Sequence, residues 1–312
     1  VLGFEFRSVD FITGLFPWIT NGPLITVQVM SGLSVGMFLF LVSVGMSLIF
    51  GVTRIVNLAH GSLYMVGAYL MVTLVAMLPE QPWAFWLALL LAPLGVALLG
   101  GIIEIGLLRL IYHRDPLLQL ILTFGLILVI STLVLLAWGP DNKSVSRPDA
   151  LAGSVRILGQ PFPSYYLLVL GLAPTVAVAL WLVFYRTRWG MLIRAATVDR
   201  EMLGALGVNV AALYTQVFVF GSWLAGLGGA LAAPTVAVAL GMDGDVLTTA
   251  FVVVVIGGLG SFAGSFVSAL LVGQLQSFGI LIFPSISIVL LFALMAIVLI
   301  VRPWGLFGRP EE

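Results

Sequence analysis

Eight stretches of this chain are each apolar and long enough to cross a lipid bilayer: 25–50, 61–78, 84–108, 117–138, 164–185, 210–234, 264–282 and 285–301. A bilayer core of about 30 Å takes roughly 20 apolar residues of helix. Inside hydrocarbon every backbone N–H and C=O needs a partner within the protein, so spans of this kind are helical. Composition agrees, with 61% hydrophobic and 8% charged residues, where a soluble domain carries about 25% charged residues. The fold class expected is an all-α polytopic membrane protein with about eight long transmembrane helices plus a short broken or re-entrant helix pair. The pair starts at 246–257 (VLTTAFVVVVIG), which is apolar but too short to span alone. It runs through the glycine turn Gly257, Gly258, Gly260, Ser261 and Gly264 into the next span. Non-helical backbone at membrane depth is tolerated only where protein or a cavity surrounds it.

Lys and Arg set the expected orientation. With the N-terminus outside, the inner side holds Arg54, Arg109, Arg114, Arg186, Arg188, Arg194, Arg200, Arg302 and Arg309, and the outer side Arg7, Lys143, Arg147 and Arg156. This excess inside follows the positive-inside rule and puts the C-terminus in the cytoplasm. Residues 1–24 read as an N-terminal interfacial segment, 25–301 as the transmembrane domain and 302–312 as a cytoplasmic tail. The long connection 139–163 is polar, proline-rich and outside. The long connection 186–209 is inside, and its part from Leu192 to Leu206 has helix-forming composition that stops at Gly207. No internal repeat is legible.

The absences exclude most chemistry. There is no cysteine, hence no disulfide, thiolate or cysteine-based metal site. Net charge is zero, so there is no nucleic-acid footprint. The single lysine, Lys143, follows Asn142, so no phosphate-binding loop exists, and the glycine spacing at 257–264 does not fit a dinucleotide fingerprint. Two histidines without an H-E-x-x-H pattern rule out a zincin site. Ser261 lacks the context of a nucleophile elbow. No enzyme activity and no cofactor are expected. Glu104 is the one acid inside a span, and a local ion pair with Arg109 at the inner interface accounts for it. Ion-coupled carriers keep ionisable groups deep in the membrane. With none central here, work for uphill transport has to enter from a partner.

Two stretches carry candidate function. In "RIVNLAHGS" (54–62), Asn57 is placed to cap a helix starting at Leu58, His60 falls in its first turn, and Gly61 allows close approach. One reading is a capped turn; the other has Asn57 and His60 lining or gating a path at a helix break. In the second stretch, Thr248, Thr249, Ser261, Gln274 and Gln276 offer hydrogen bonds to a passing zwitterion. Asp243 and Asp245 fall at its outer mouth, with Asp245 a candidate cap.

Four segments in order, "NLAHGSLYMVGAY" (57–69), "RAATVDREMLGALGVNV" (194–210), "VVIGGLGSFAGSFVSALLVG" (254–273) and "RPWGLFGRP" (302–310), resemble the membrane permeases of branched-chain amino-acid ABC importers, the LivH type. The resemblance covers about residues 25–310. It implies a bacterial inner-membrane permease paired with a second, related permease, driven by two cytoplasmic ATPases and fed by a periplasmic solute-binding protein. The family's substrates are leucine, isoleucine and valine; relatives carry urea, amides or aromatic acids. The segment 194–210 would then couple to the ATPases. Arg194, Asp199, Arg200 and Glu201 would supply rim charges, Met202, Leu203 and Leu206 apolar anchors, and Gly207 the stop. An ATP-independent facilitator and a non-transporting structural subunit stay open as alternatives.

Overall fold

The computed structural model of the chain describes residues 22–78, 81–112 and 114–308. Among these residues eight helices are long and apolar enough to cross a membrane, with one short hairpin besides. The chain is an all-α polytopic membrane protein. Its helices are α1 (Gly22–Thr53), α2 (His60–Met77), α3 (Ala84–Gly106), α4 (Pro116–Trp138), α5 (Ser164–Arg186), α6 (Arg188–Val198), α7 (Arg200–Ala205), α8 (Val210–Ala232), α9 (Met242–Gly257), α10 (Phe262–Ile282) and α11 (Ser287–Val301). The expected interfacial segment lies outside the described residues except for 22–24, which open α1. Residues 309–312 of the tail, Arg309 included, also lie outside.

Helices α1 and α8 form the centre. The first packs on α10, α8, α9 and α5, the second on α3, α1 and α2. The outer helices turn apolar faces away from the bundle, as Leu90, Leu94, Leu98, Ile102 and Ile105 do along one side of α3. That stripe recurs at the spacing of one helix face, which is how an all-apolar helix can be half packed and half lipid-facing. Apolar lipid gives little drive for helix association, so close backbone contact carries it. A Cβ at Gly67 would strike the backbone of Gly226, and one at Gly229 would strike Tyr64. These two glycines let α2 and α8 touch at backbone distance.

The same contacts give the directions. Gly32 lies against Gln274, Gly36 against Ala269 and Gly51 against Gly260, so α10 runs antiparallel to α1. Gly226 lies against Val96 and Gly100 against Ser222, so α3 runs antiparallel to α8. The units α1-α2-α3 and α8-α9-α10 therefore share one plan in opposite senses. In each, a long helix ends, the chain doubles back, a shorter helix starts within the bundle, and the third helix packs along the first helix of the other unit, α10 on α1 and α3 on α8. A repeat invisible in the sequence is present in the structure, because what repeats is a pattern of backbone approach, satisfied by small residues at unrelated spacings.

One expectation is corrected. Helix α9 begins at Met242 and runs for 16 residues, about 24 Å at 1.5 Å per residue, rather than starting at 246. The acids Asp243 and Asp245 interrupted the apolar run, yet a helix's first turn is where acids are favourable. The connection 139–163, whose local structure the sequence leaves open, carries a short hairpin. It folds β1 (Ser154–Ile157) onto β2 (Gln160–Pro163), joined by Leu158 and Gly159, both at positive φ, the backbone of a two-residue hairpin turn.

The α2–α8 contact leads to a stability prediction. Gly67→Leu should lower the thermal unfolding temperature of the detergent-solubilised protein, at a cost above the roughly 1–3 kcal/mol of ordinary overpacking. Gly125→Leu on α4, where a Cβ meets open space, should stay within about 0.5 kcal/mol of wild type.

Candidate functional site

Helices α2 and α9 both begin inside the bundle, and they begin beside each other. Arg54 ends α1 with φ 56, and its N–H still donates to Phe50 at 2.8 Å. The chain then returns along α1, and His60 reaches the carbonyl of Val42 at 3.0 Å through Nε2. Val42 lies about three turns before the end of α1. Residue 60 is therefore at membrane depth. Gly61 leaves room for the backbone of Asp243, in the first turn of α9, and for Leu247. The Ser62 hydroxyl donates to Asp243 Oδ2 at 2.8 Å, with Ser131 of α4 at 3.5 Å from the same oxygen. One buried carboxylate thus serves the starts of two oppositely directed helices.

The capping expected of Asn57 is corrected. Helix α2 starts at His60, not Leu58, and its N-cap, Ala59, has no side-chain bond. Asn57 Oδ1 instead accepts from Ala59 N–H at 3.1 Å, and its carbonyl accepts from His60 N–H at 3.2 Å. This is an Asx turn leading into the helix. Asn57 is 3% exposed and His60 0%, and Asn57 Nδ2 and His60 Nδ1 have no partner among the described residues.

The glycine turn gathers elsewhere, at the end of the bundle that holds Arg54 and Arg302. Gly258 and Gly260 have φ of 96 and 81, a region open to glycine at little cost. Helix C-termini leave carbonyls unsatisfied. Here the tail satisfies them: Leu306 N–H donates to Ile256 O at 2.8 Å and Phe307 N–H to Gly257 O at 3.0 Å. Gly305, at φ 79, lies on Gly258. The stretches 254–264 and 302–308 thus pack as two halves of one unit. Ser261 caps α10, its Oγ accepting from Gly264 N–H at 3.0 Å, and Gly264 packs on Gly257. Gln274 is far from this turn, bonded through Nε2 to Val29 O at 2.9 Å. Thr248 and Thr249 return their hydroxyls to Gly244 and Asp245 carbonyls, on the face of α9 turned away from α2.

The segment 194–208 is two helices, not one. Asp199 breaks it, ending α6 and capping α7 by accepting from Glu201 and Met202 N–H at 2.9 Å. Gly207, at φ 84, ends the turn after α7, and Asn209 caps α8. Met202 is 60% and Leu206 74% exposed, whereas Leu203 is 5% exposed, so Leu203 is an anchor into this chain. Arg194 donates to the Phe184 carbonyl at the end of α5 and lies over the Tyr185 ring; it ties α6 to α5. Arg54 reaches Thr197 O of α6 at 3.5 Å. Glu104 accepts from Tyr112 at 2.8 Å and Thr215 at 2.6 Å, and Arg109 reaches Thr215 at 3.5 Å. This network replaces the expected Glu104–Arg109 pair. Burial, and then the Glu104 charge, push the Tyr112 phenol up, so Tyr112 stays a donor.

Asp243 gives the second prediction. Asp243→Leu leaves the buried Ser62 hydroxyl without its acceptor and should cost about 1–3 kcal/mol. Asp243→Asn keeps an acceptor oxygen and should lose less, read as unfolding midpoints in detergent.

Comparison with known proteins agrees with this architecture. The family model described as branched-chain amino acid transport system / permease component matches residues 28–299. The high-affinity branched-chain amino acid transport system permease protein BraD of Pseudomonas aeruginosa is 30% identical over 304 residues, covering 91% of this chain and 96% of that protein. LivH of Escherichia coli, described in the same words, is 26% identical over 303 residues, with 91% and 96% covered. A probable branched-chain amino acid transport permease protein, LivH of Methanocaldococcus jannaschii, is 22% identical over 297 residues, with 86% and 88% covered. No solved structure matches. Since the family match runs from the first turns of α1 into the last of α11, the chain belongs to the family of branched-chain amino-acid transport system permease components.

Proposed function

We propose that this chain is the permease subunit of an ATP-driven ABC importer for branched-chain amino acids, seated in a bacterial inner membrane with its C-terminus in the cytoplasm. Its partners are a second, related permease, two cytoplasmic ATPases and a periplasmic solute-binding protein. The path runs beside the broken helices α2 and α9, with Thr248 and Thr249 on the open face of α9 and Asn57, His60 and Gly61 behind it at the start of α2. The turn from Gly257 to Gly264 forms its inner gate.

The observation that carries this reading is the pair α6–α7. Together these helices bring Met202 and Leu206 to the surface, rimmed by exposed Asp199, Arg200 and Glu201. An apolar ridge with a charged rim at i and i+4 is the form in which a helix seats in a partner's groove. Underneath, Leu203 and Arg194 fix the pair to α8 and α5. Arg54 links α6 to the segment that leads into α2. Force applied to α7 thus has a short route to the start of α2. A chain without a phosphate-binding loop or a central charge relay receives its work by such a route.

The test follows from the orientation of these side chains. Met202→Asp with Leu206→Asp should lower substrate-stimulated ATPase activity at least about tenfold while leaving the permease stable, because exposed substitutions shift stability by about 0.5 kcal/mol or less. Leu203→Asp should instead destabilise the permease itself by about 3 kcal/mol or more, since its charge is buried without a partner. Normal transport by the Met202/Leu206 double variant would overturn the coupling role. A phosphatase active only outside the cytoplasm, fused after Glu312, should stay silent; activity would reverse the orientation.

A further inference from the structure

Helix α9 presents two different faces within its first turns. Asp243 turns inward and is held by Ser62. Asp245, two residues on and so nearly opposite around the helix, is exposed, and its carboxylate has no partner among the described residues. Gly241 and Gly244 lie on the same exposed side, where a Cβ would meet open space, and Thr248 follows one turn later. Below them the helix becomes apolar, from Ala250 to Ile256.

Depth makes this face unusual. Asp245 stands three turns and more from the Gly257 end of α9, about 18 Å at 1.5 Å per residue, within a hydrocarbon core of about 30 Å. A carboxylate at that depth does not face lipid, because acids within transmembrane segments turn to a bundle interior or a water-filled cavity. The lipid-facing sides of α3 and α11 carry Leu, Ile and Val instead. The small residues Gly241 and Gly244 leave the space in front of Asp245 free of side chains from its own helix.

We infer that the exposed face of α9, with Gly241, Gly244, Asp245 and Thr248, is a water-facing wall of the translocation path, and that the Asp245 carboxylate receives the α-ammonium group of the passing amino acid. This rests on the reading of the chain as an amino-acid permease. The aliphatic side chain of such a substrate needs only an apolar wall, and Phe251 lies exposed one turn below Thr248. Its ammonium group needs a hydrogen-bond acceptor and a counter-charge to leave bulk water. Asp245 supplies both, and the Thr248 hydroxyl, already donating to Gly244 O, has lone pairs left to accept.

The chain has no cysteine, so single cysteines report water access without background from this subunit. In the complete transporter in proteoliposomes, Asp245→Cys and Thr248→Cys should react with a cationic, membrane-impermeant methanethiosulfonate, and Leu98→Cys on the lipid side of α3 should not. Asp245→Asn should cut ATP-driven leucine uptake at least about tenfold while loaded binding protein still stimulates ATP hydrolysis, and Asp245→Glu should restore much of the uptake. Unreactive cysteines at 245 and 248, wild-type uptake by Asp245→Asn, or no recovery with Asp245→Glu would overturn the proposal. So would failure of Asp245→Asn to assemble, which would mark Asp245 as the partner of a basic group on the second permease. Absence of leucine uptake by the wild-type complex would instead overturn the functional reading, and the cysteine reactivities would still judge the wall.

Discussion

A backbone that breaks inside hydrocarbon must find its hydrogen-bond partners within the protein, and the rest of this structure is arranged around two such breaks. The chain stops being helical after α1 and again after α8, and restarts at depth in each case. At the first break the Asx turn of Asn57 and the bond from His60 to Val42 O supply partners. At the second, Lys143 and Val238 exchange backbone hydrogen bonds at 2.8 and 2.9 Å, and Arg147 donates to Pro234 O at 3.2 Å. The connection 139–163 is thus built into the returning segment. This explains why polar residues sit in so apolar a chain: they replace water where helices begin.

Placing two helix starts side by side also sets the electrostatics. Each N-terminus carries partial positive charge, and the two would repel across the Gly61–Asp243 contact. The buried Asp243 carboxylate lies between them and accepts from Ser62. Asp243 therefore belongs to the scaffold, and only Asp245 is left to face outward. Two acids, two residues apart, differ in role because one helix puts them on opposite sides.

At the other end the tail completes the fold. The C-terminal carbonyls of α9 would be exposed at the edge of the bilayer without Leu306 and Phe307. Three glycines at positive φ, Gly258, Gly260 and Gly305, make the fit possible. Gly260 in turn rests on Gly51, one turn above Arg54, and Arg54 reaches α6. The glycine turn, the end of α1 and the surface helices α6 and α7 are thereby one mechanical unit.

The number of spans, the helical class and the basic end were legible in the sequence, because bilayer thickness sets helix length and only partnered backbone survives in lipid. The stop at Gly207 was legible too, since glycine at a helix end answers to local geometry alone. Where helices restart was not. Asn57 reads as a cap two residues too early, because an Asx turn and an N-cap use the same side chain and differ only in what the following residues do. Nor could composition tell Leu203 from Leu206, or Asp243 from Asp245. Those differences are matters of helix rotation, and rotation is fixed by packing against α8 and α2. In a chain apolar on every side, hydrophobic periodicity marks the spans but not their faces. Which side chains point at a neighbour and which at a path is decided only when glycines on facing helices meet and set the distance between backbones.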